Sequence, residues 1–270
     1  MGDILSRKPA EMNVFELLQA ERNLIYHIQT ATGKDELMPL VHEHRAIIRR
    51  ITDYAIRDSL THLLNRNGYA ALVQGLVDKG LKTNQDFVHL IFDVDNFRKI
   101  NTKYGHDAGD AILRNLARTI ENSLTMPSYH GSYAAILRNE NPIRLGGEEI
   151  VVLLPAHSTC QGRNRAEELR KKIASDSQKE EQLPSIAVSG GVASLDTILR
   201  AYNSADRVPD TKEIAKAIYV FSDYALYFAK EHGKDRVVTF EEALQEPITR
   251  RSKRRLRDLT EIAQRYKDTL

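Results

Sequence analysis

The chain has 270 residues, 41% of them hydrophobic and 28% charged, which supports a packed core and excludes wholesale disorder. A formal net charge of +2 offers no overall field for nucleic acid, the single cysteine, Cys160, excludes an internal disulfide, and no Cys/His spacing reads as a zinc site. No apolar run approaches the roughly 20 residues of a membrane helix and residues 1–7 lack the apolar core of a signal peptide, so a soluble cytoplasmic protein is expected.

Residues 11–31 and 35–57 carry apolar side chains at helical spacing, with Gly33 between them. This predicts a helical hairpin whose apolar stripes must be covered by the rest of the chain or by a second copy. Residues 58–69 read as a turn entering a helix. Residues 87–92, Phe-Val-His-Leu-Ile-Phe, read as a buried strand. A short helix is expected near 97–103, a longer one to about Ser123, a polar loop over 124–141, and a strand–turn–strand over 142–155 bent at Gly146-Gly147. A helix over 162–176, a strand over 185–193, a loop over 196–210, a helix over 211–231 and a strand over 236–240 follow. Residues 241–270 read as a helical tail. Strands alternating with helices predict an α/β fold, an α+β sandwich with helices over one sheet. The expected division is 1–56, 57–240 and 241–270.

Two acidic turns about fifty residues apart carry the chemistry. Phe92-Asp93-Val94-Asp95-Asn96-Phe97 lies at a strand end, where ligand crevices form in open sheets. Only one of Asp93 and Asp95 is expected to face the ligand. Arg144-Leu145-Gly146-Gly147-Glu148-Glu149-Ile150 combines glycines that let a hairpin approach a ligand with two carboxylates, one of them expected to bind metal. Arg98 and Lys99 lie beside free amides, and Lys230 and Lys234, four apart, are expected to share a helix face and hold phosphates. Each piece alone is commonplace: a Gly-Gly-Glu-Glu turn is usually a solvated hairpin, and lysines near a helix end usually complement its dipole. In this order they describe a site for metal and phosphate.

That order resembles the GGDEF family, the diguanylate cyclases. The matching stretches are Asp58-x-Leu60-Thr61-x-Leu63-x-Asn65-Arg66, Asp93-Val94-Asp95-x-Phe97-Arg98-x-Ile100-Asn101-x-x-Tyr104-Gly105-His106-x-x-Gly109-Asp110, the Gly-Gly-Glu-Glu turn, and Ala225-Leu226-Tyr227-x-Ala229-Lys230-x-x-Gly233-Lys234-x-Arg236-Val237. The resemblance covers about 57–240. It implies a fold related to class III nucleotidyl cyclases and condensation of two GTP into cyclic di-GMP with release of pyrophosphate. By position, Asp93, the carbonyl of Val94 and Glu148 or Glu149 would hold two magnesium ions, with manganese as an alternative. Glu148 would accept the proton of the attacking ribose 3′-hydroxyl. Arg98 would stand by the reacting phosphate, where the family usually has Lys. Asn101 and Asp110 would read guanine, Lys230 and Lys234 would grip the β- and γ-phosphates, and Phe97, His106 and Gly147 would border the nucleotide. Each subunit would hold one GTP, so activity implies a homodimer.

The sequence departs from the family's pattern in places. His62 replaces the usual Gly and Ile150 the usual Phe, and Ser189-Gly190-Gly191 replaces Ser-Ile-Gly, which is expected to weaken a packing contact. The Arg-x-x-Asp of the product-inhibition site is absent, the corresponding stretch being Leu137-Arg138-Asn139-Glu140. In the tail, Arg250, Arg251, Lys253, Arg254, Arg255 and Arg257 are expected to form a solvated basic helix, with an acidic protein as an alternative partner. Glu242-Ala243-Leu244 spells the name of the companion phosphodiesterase family, but too little chain follows for that domain. Against the enzyme stand two rivals, a catalytically silent module that binds GTP or cyclic di-GMP and a scaffold that acts through its helical ends.

Overall fold

A computed structural model describes residues 14–31, 33–124, 137–180 and 182–270. Residues 1–13, which include the 1–7 segment expected to lack a signal-peptide core, and most of the loop expected over 124–141 lie outside them. Two compact units divide at Asp58 and Ser59. The first is a hairpin of α1 (Val14–Thr30) and α2 (Lys34–Ile56). It closes on a small core of Ala20, Leu24 and Ile47, flanked by Ile28, Leu40 and Ile51. Ile25, Tyr26, Met38, Ile48 and Tyr54 remain exposed on it.

The second unit runs α3 (Arg66–Thr83), β1 (Phe87–Val94), α4 (Phe97–Tyr104), α5 (His106–Ser123), β2 (Asn141–Gly146), β3 (Glu149–Pro155) and α6 (Thr159–Ser177). It continues through β4 (Val188–Ser194), α7 (Leu195–Ser204), α8 (Thr211–Glu231) and β5 (Val237–Thr239). The tail forms α9 (Phe240–Leu244), α10 (Arg250–Leu256) and α11 (Thr260–Lys267). The sheet order is β2-β3-β1-β4-β5, with β4 and β5 parallel and the other neighbours antiparallel.

β1 is buried along its whole length because it is the central strand with helices on both faces. Side chains alternate across a strand, so Val88, Leu90, Phe92 and Val94 join the core formed with α5 and α6. Phe87, His89, Ile91 and Asp93 therefore face the other layer, where α3 and α8 lie. Sheet polarity thus delivers Asp93 to α8. His89 on that face is fully buried and bonded on both ring nitrogens, to the Tyr69 hydroxyl at 3.0 Å and to Ser222 Oγ at 2.8 Å.

Two expectations about local structure are corrected. The loop expected over 196–210 begins as helix α7. Ser194 caps it by accepting from the Thr197 amide, and Leu195, Ile198, Ala201 and Tyr202 bury one face at helical spacing. The tail is not a freely solvated helix. Its basic residues Arg250, Arg251, Lys253, Arg254, Arg255 and Arg257 are exposed as expected, but Ser252 and Leu256 of α10 are buried, as are Leu259, Ile262, Ala263 and Tyr266.

Ser189-Gly190-Gly191 does not weaken the packing as expected. Gly190 lies opposite Phe92, whose ring would be 2.9 Å from a Cβ at 190 and fills the space of the missing side chain. Gly191 lies under α8, where a Cβ would overlap the Ser222 carbonyl and the Leu226 amide. The glycine is what lets the helix rest on the strand.

Candidate active site

Asp93 sits at the end of β1 with Glu149 of β3 directly opposite, the two strands being in register there. Ile150, the next residue, is fully buried on the α5/α6 face, so Glu149 projects with Asp93 toward α8. The last turn of α8 brings Lys230 Nζ to 2.5 Å from Asp93 Oδ1. Beyond that ion pair the buried Oδ1 atom has no hydrogen-bond partner among the described residues. Burial raises the Asp93 pKa, Lys230 opposes the rise, and the charges of Glu148 and Asp95 add to it. Burial also raises that of Glu149, reinforced by Asp93, Asp223 and Glu148.

Carboxylates crowded out of water in this way favour an added cation. The oxygen-only donor set and the partly desolvated, mutually repelling carboxylates of Asp93 and Glu149 fit a hard divalent ion. Among the described residues, no three His, Cys, Asp or Glu side chains are gathered as a metal cage. The corner is a facing carboxylate pair with Glu148 nearby, held by an ammonium group.

The turn that carries Glu148 is braced from both sides. Gly146 and Gly147 have φ values of 150° and 53°, which explains two successive glycines. Arg144 Nε donates to the Gly147 carbonyl at 2.9 Å, and Arg66 donates through Nε and Nη2 to the Leu145 carbonyl at 3.3 and 3.2 Å. Arg66 comes from the first turn of α3, which Asn65 caps by accepting from the Asn67 and Gly68 amides.

Asp95 is occupied by structural bonds. It accepts from Ser189 Oγ at 2.8 Å and from the Asp235 amide at 2.9 Å. These bonds tie the end of β1 to β4 and to the turn after α8. Lys230 and Lys234 do not share a helix face, a correction to the expectation from their spacing. α8 ends at Glu231, Gly233 takes φ 113° and Lys234 φ 63°, and the chain reverses. Lys234 Nζ thereby reaches Asn96 Oδ1 at 2.7 Å, at the start of α4. Asn96 is itself left-handed (φ 60°), and no side chain caps α4. Uncapped first-turn amides suit an anion.

A second corner forms where α4 turns into α5 through Gly105 (φ 87°). Asn101 of α4 packs its amide oxygen against Gly109 of α5, in the space a Cβ at 109 would take, with the Phe97 ring beside it. That oxygen is buried without a hydrogen-bond partner among the described residues. A buried amide oxygen left unbonded costs about 1–3 kcal/mol, which a ligand donor would recover. Asp110 follows Gly109 and is half-buried, while Arg98 and His106 are exposed.

His62 adopts φ 61°, the left-handed region in which glycine is unstrained, which accounts for the usual Gly there. Glu140, where the inhibitory motif would have its Asp, is buried in a two-pronged ion pair with Arg165, Nε to Oε1 at 3.1 Å and Nη2 to Oε2 at 3.0 Å. Ser189, Asp223 and Asp235 join the site through long-range pairing, which spacing along the sequence does not reveal. A cavity of about 360 Å³ between α5 and α6, lined by Ile112, Leu116, Ile173 and Ile186, shares no residue with the two acidic turns.

Comparison with known proteins shows the family. The family described as diguanylate cyclase, GGDEF domain, matches residues 55–236. Diguanylate cyclase DgcM of Escherichia coli K12 is 31% identical over 221 residues, covering 78% of this chain and 47% of DgcM. Diguanylate cyclase DgcP of Pseudomonas aeruginosa is 31% identical over 184 residues, covering 68% of this chain and 24% of DgcP. The chain thus spans half or less of the length of these two relatives. Among solved structures, diguanylate cyclase SiaD of Pseudomonas aeruginosa, in complex with its activator SiaC, shares the fold. Its TM-score is 0.56 at 24% identity, over 83% of this chain and 80% of SiaD. The match extends over more than half of the sequence and takes in both acidic turns, and the chain belongs to the GGDEF domain family.

Proposed function

We propose that the chain is a diguanylate cyclase, condensing two GTP into cyclic di-GMP and pyrophosphate. The observation that carries the reading is the acidic corner itself. Asp93 and Glu149 face each other across β1 and β3, a lysine from α8 holds Asp93, and the Gly-Gly turn lifts Glu148 beside them. Asp93, the Val94 carbonyl, Glu148 and Glu149 would hold magnesium, or manganese in its place, which when bound neutralises triphosphate charge. Lys230, released from Asp93, and Lys234 bind the β- and γ-phosphates. Arg98 supplies positive charge at the reacting phosphate. Glu148 accepts the proton of the 3′-hydroxyl as that oxygen attacks.

Asn101 and Asp110 read the guanine edge. A carboxylate that accepts from both N1–H and N2–H of guanine finds no equivalent pair of donors in adenine, so the corner selects GTP. The unbonded Asn101 oxygen is an acceptor in waiting. Attack by one GTP on the α-phosphate of another requires two sites facing each other, hence a homodimer. The exposed Ile25, Tyr26, Met38, Ile48 and Tyr54 of the α1–α2 hairpin support a contact between copies there. A chain lacking residues 1–55 that kept both full activity and its oligomeric state by light scattering would dismiss that role.

The function is tested by incubating the purified protein with GTP and magnesium and identifying the product by mass spectrometry, beside Glu148→Ala. Cyclic di-GMP from the parent and none from the variant is expected. Absence of product at concentrations that dimerise the chain would sink the cyclase reading and leave a nucleotide-binding module.

A further inference from the structure

The basic tail meets α8 in a matched ladder. Arg251 and Arg255 lie four residues apart on α10, so they share a helix face. On α8, Asp223, Tyr227 and Glu231 lie at successive four-residue steps. Arg255 Nη1 binds both oxygens of Asp223, at 3.2 and 3.1 Å, and Arg251 Nη1 binds Glu231 Oε2 at 2.9 Å. Both guanidinium groups lie 5.5 Å from the Tyr227 ring between them. Asp223 is only 7% exposed, so Arg255 neutralises a carboxylate that water barely reaches.

The rest of the tail anchors this contact. The Tyr266 ring is parallel to that of Phe240, which stacks on Phe221 of α8 at 3.8 Å. Tyr266 hydroxyl donates to Glu241 Oε1 at 3.4 Å, and Lys216 of α8 pairs with Asp258 at 2.6 Å. The tail lies outside the 55–236 family match, yet it grips the helix that carries Lys230. Glu231, held by Arg251, is the residue next to Lys230. Asp223, held by Arg255, is near enough to Glu149 for its charge to be felt there.

We propose that Arg251 and Arg255 are positioning residues, by which the docked tail fixes the Lys230 end of α8 for triphosphate binding and keeps Asp223 from competing for that cation. The inference rests on GTP being the substrate. An unheld α8 end presents Lys230 in many orientations, and a buried Asp223 freed of Arg255 becomes a second acceptor for it. Both effects weaken ground-state binding of phosphate and leave the proton acceptor Glu148 untouched. The tail thus appears in substrate affinity more than in the chemical step.

The test compares the full-length parent with Arg251→Met/Arg255→Met and with Arg251→Lys/Arg255→Lys. GTP affinity is measured by calorimetry, initial rates are measured in parallel, and a urea melt verifies folding. The expected result for the methionine pair is about tenfold weaker GTP binding and a matching rise in KM, the scale of one lost charge-assisted contact. Its kcat stays within about twofold, and the lysine pair recovers most of the affinity. Unchanged affinity in a folded methionine variant overturns the inference, as does a loss of kcat at constant KM. A parent that binds GTP but yields no cyclic di-GMP refutes the cyclase reading alone, because the affinity comparison still stands. A parent that binds no GTP refutes both.

Discussion

Lowering the pH from 7 to 5 should destabilise the second unit by roughly 2 kcal/mol through His89 alone. Ser222 Oγ has one proton and donates it to the Tyr219 carbonyl at 3.0 Å, so it accepts from His89 Nδ1–H. Nε2 then accepts from Tyr69. The ring is locked neutral, and complete burial pushes its pKa down to about 3. The unfolded chain, with an ordinary imidazole near 6.5, binds the extra proton first. The stability from this residue is therefore present above pH 6.5 and is lost progressively as pH falls from there toward 3. At pH 5 the gap is about 1.5 pH units, and each unit corresponds to about 1.4 kcal/mol. Tyr69→Phe/His89→Leu removes the titrating group without leaving the tyrosine hydroxyl unbonded, and Ser222 keeps its bond to Tyr219. Urea melts of both proteins at pH 7 and pH 5 isolate the effect, since other groups titrate equally in each. The parent should lose roughly 2 kcal/mol more than the variant. Losses equal within about 0.5 kcal/mol would refute the neutral, buried assignment.

Gly191→Ala should cost at least about 3 kcal/mol in a thermal or urea melt, because a Cβ there meets the α8 backbone, which cannot rotate aside. A cost below about 1 kcal/mol would mean that the helix does not rest on β4. Arg165→Met should cost about 3 kcal/mol by stranding the buried Glu140 carboxylate, and Glu140→Leu added to it should restore most of the loss. An equal loss in the double variant would point to packing instead of charge. Asn101→Ala should weaken GTP binding by about tenfold and narrow the preference for GTP over ATP, measured by calorimetry with each nucleotide. Equal weakening for both nucleotides would remove Asn101 from base reading.

The two acidic turns were legible because their chemistry is local. Gly146-Gly147 demands positive φ, Glu148-Glu149 follows at once, and the apolar run before Asp93 announces a strand end. The α7 helix was legible too, in Leu195, Ile198 and Tyr202, but the polar residues after it masked the periodicity. The four-residue spacing of Lys230 and Lys234 implies a shared face only where the helix continues. Gly233 ends it and turns Lys234 toward Asn96.

The amino-acid sequence by itself determined the family, the order of elements and the residue types at the site, since each depends on patterns within a few residues. Tertiary structure alone decided which carboxylates meet. Antiparallel register sets Glu149 against Asp93, and alternation along β1 turns Asp93 to the α8 face, where Lys230 waits. Asp95 is drawn away by Ser189 and the Asp235 amide, and the tail arginines close on Asp223 and Glu231. Those pairings join residues 20 to 140 positions apart. Their free energy comes from burial and matched charge in three dimensions, which no local pattern encodes.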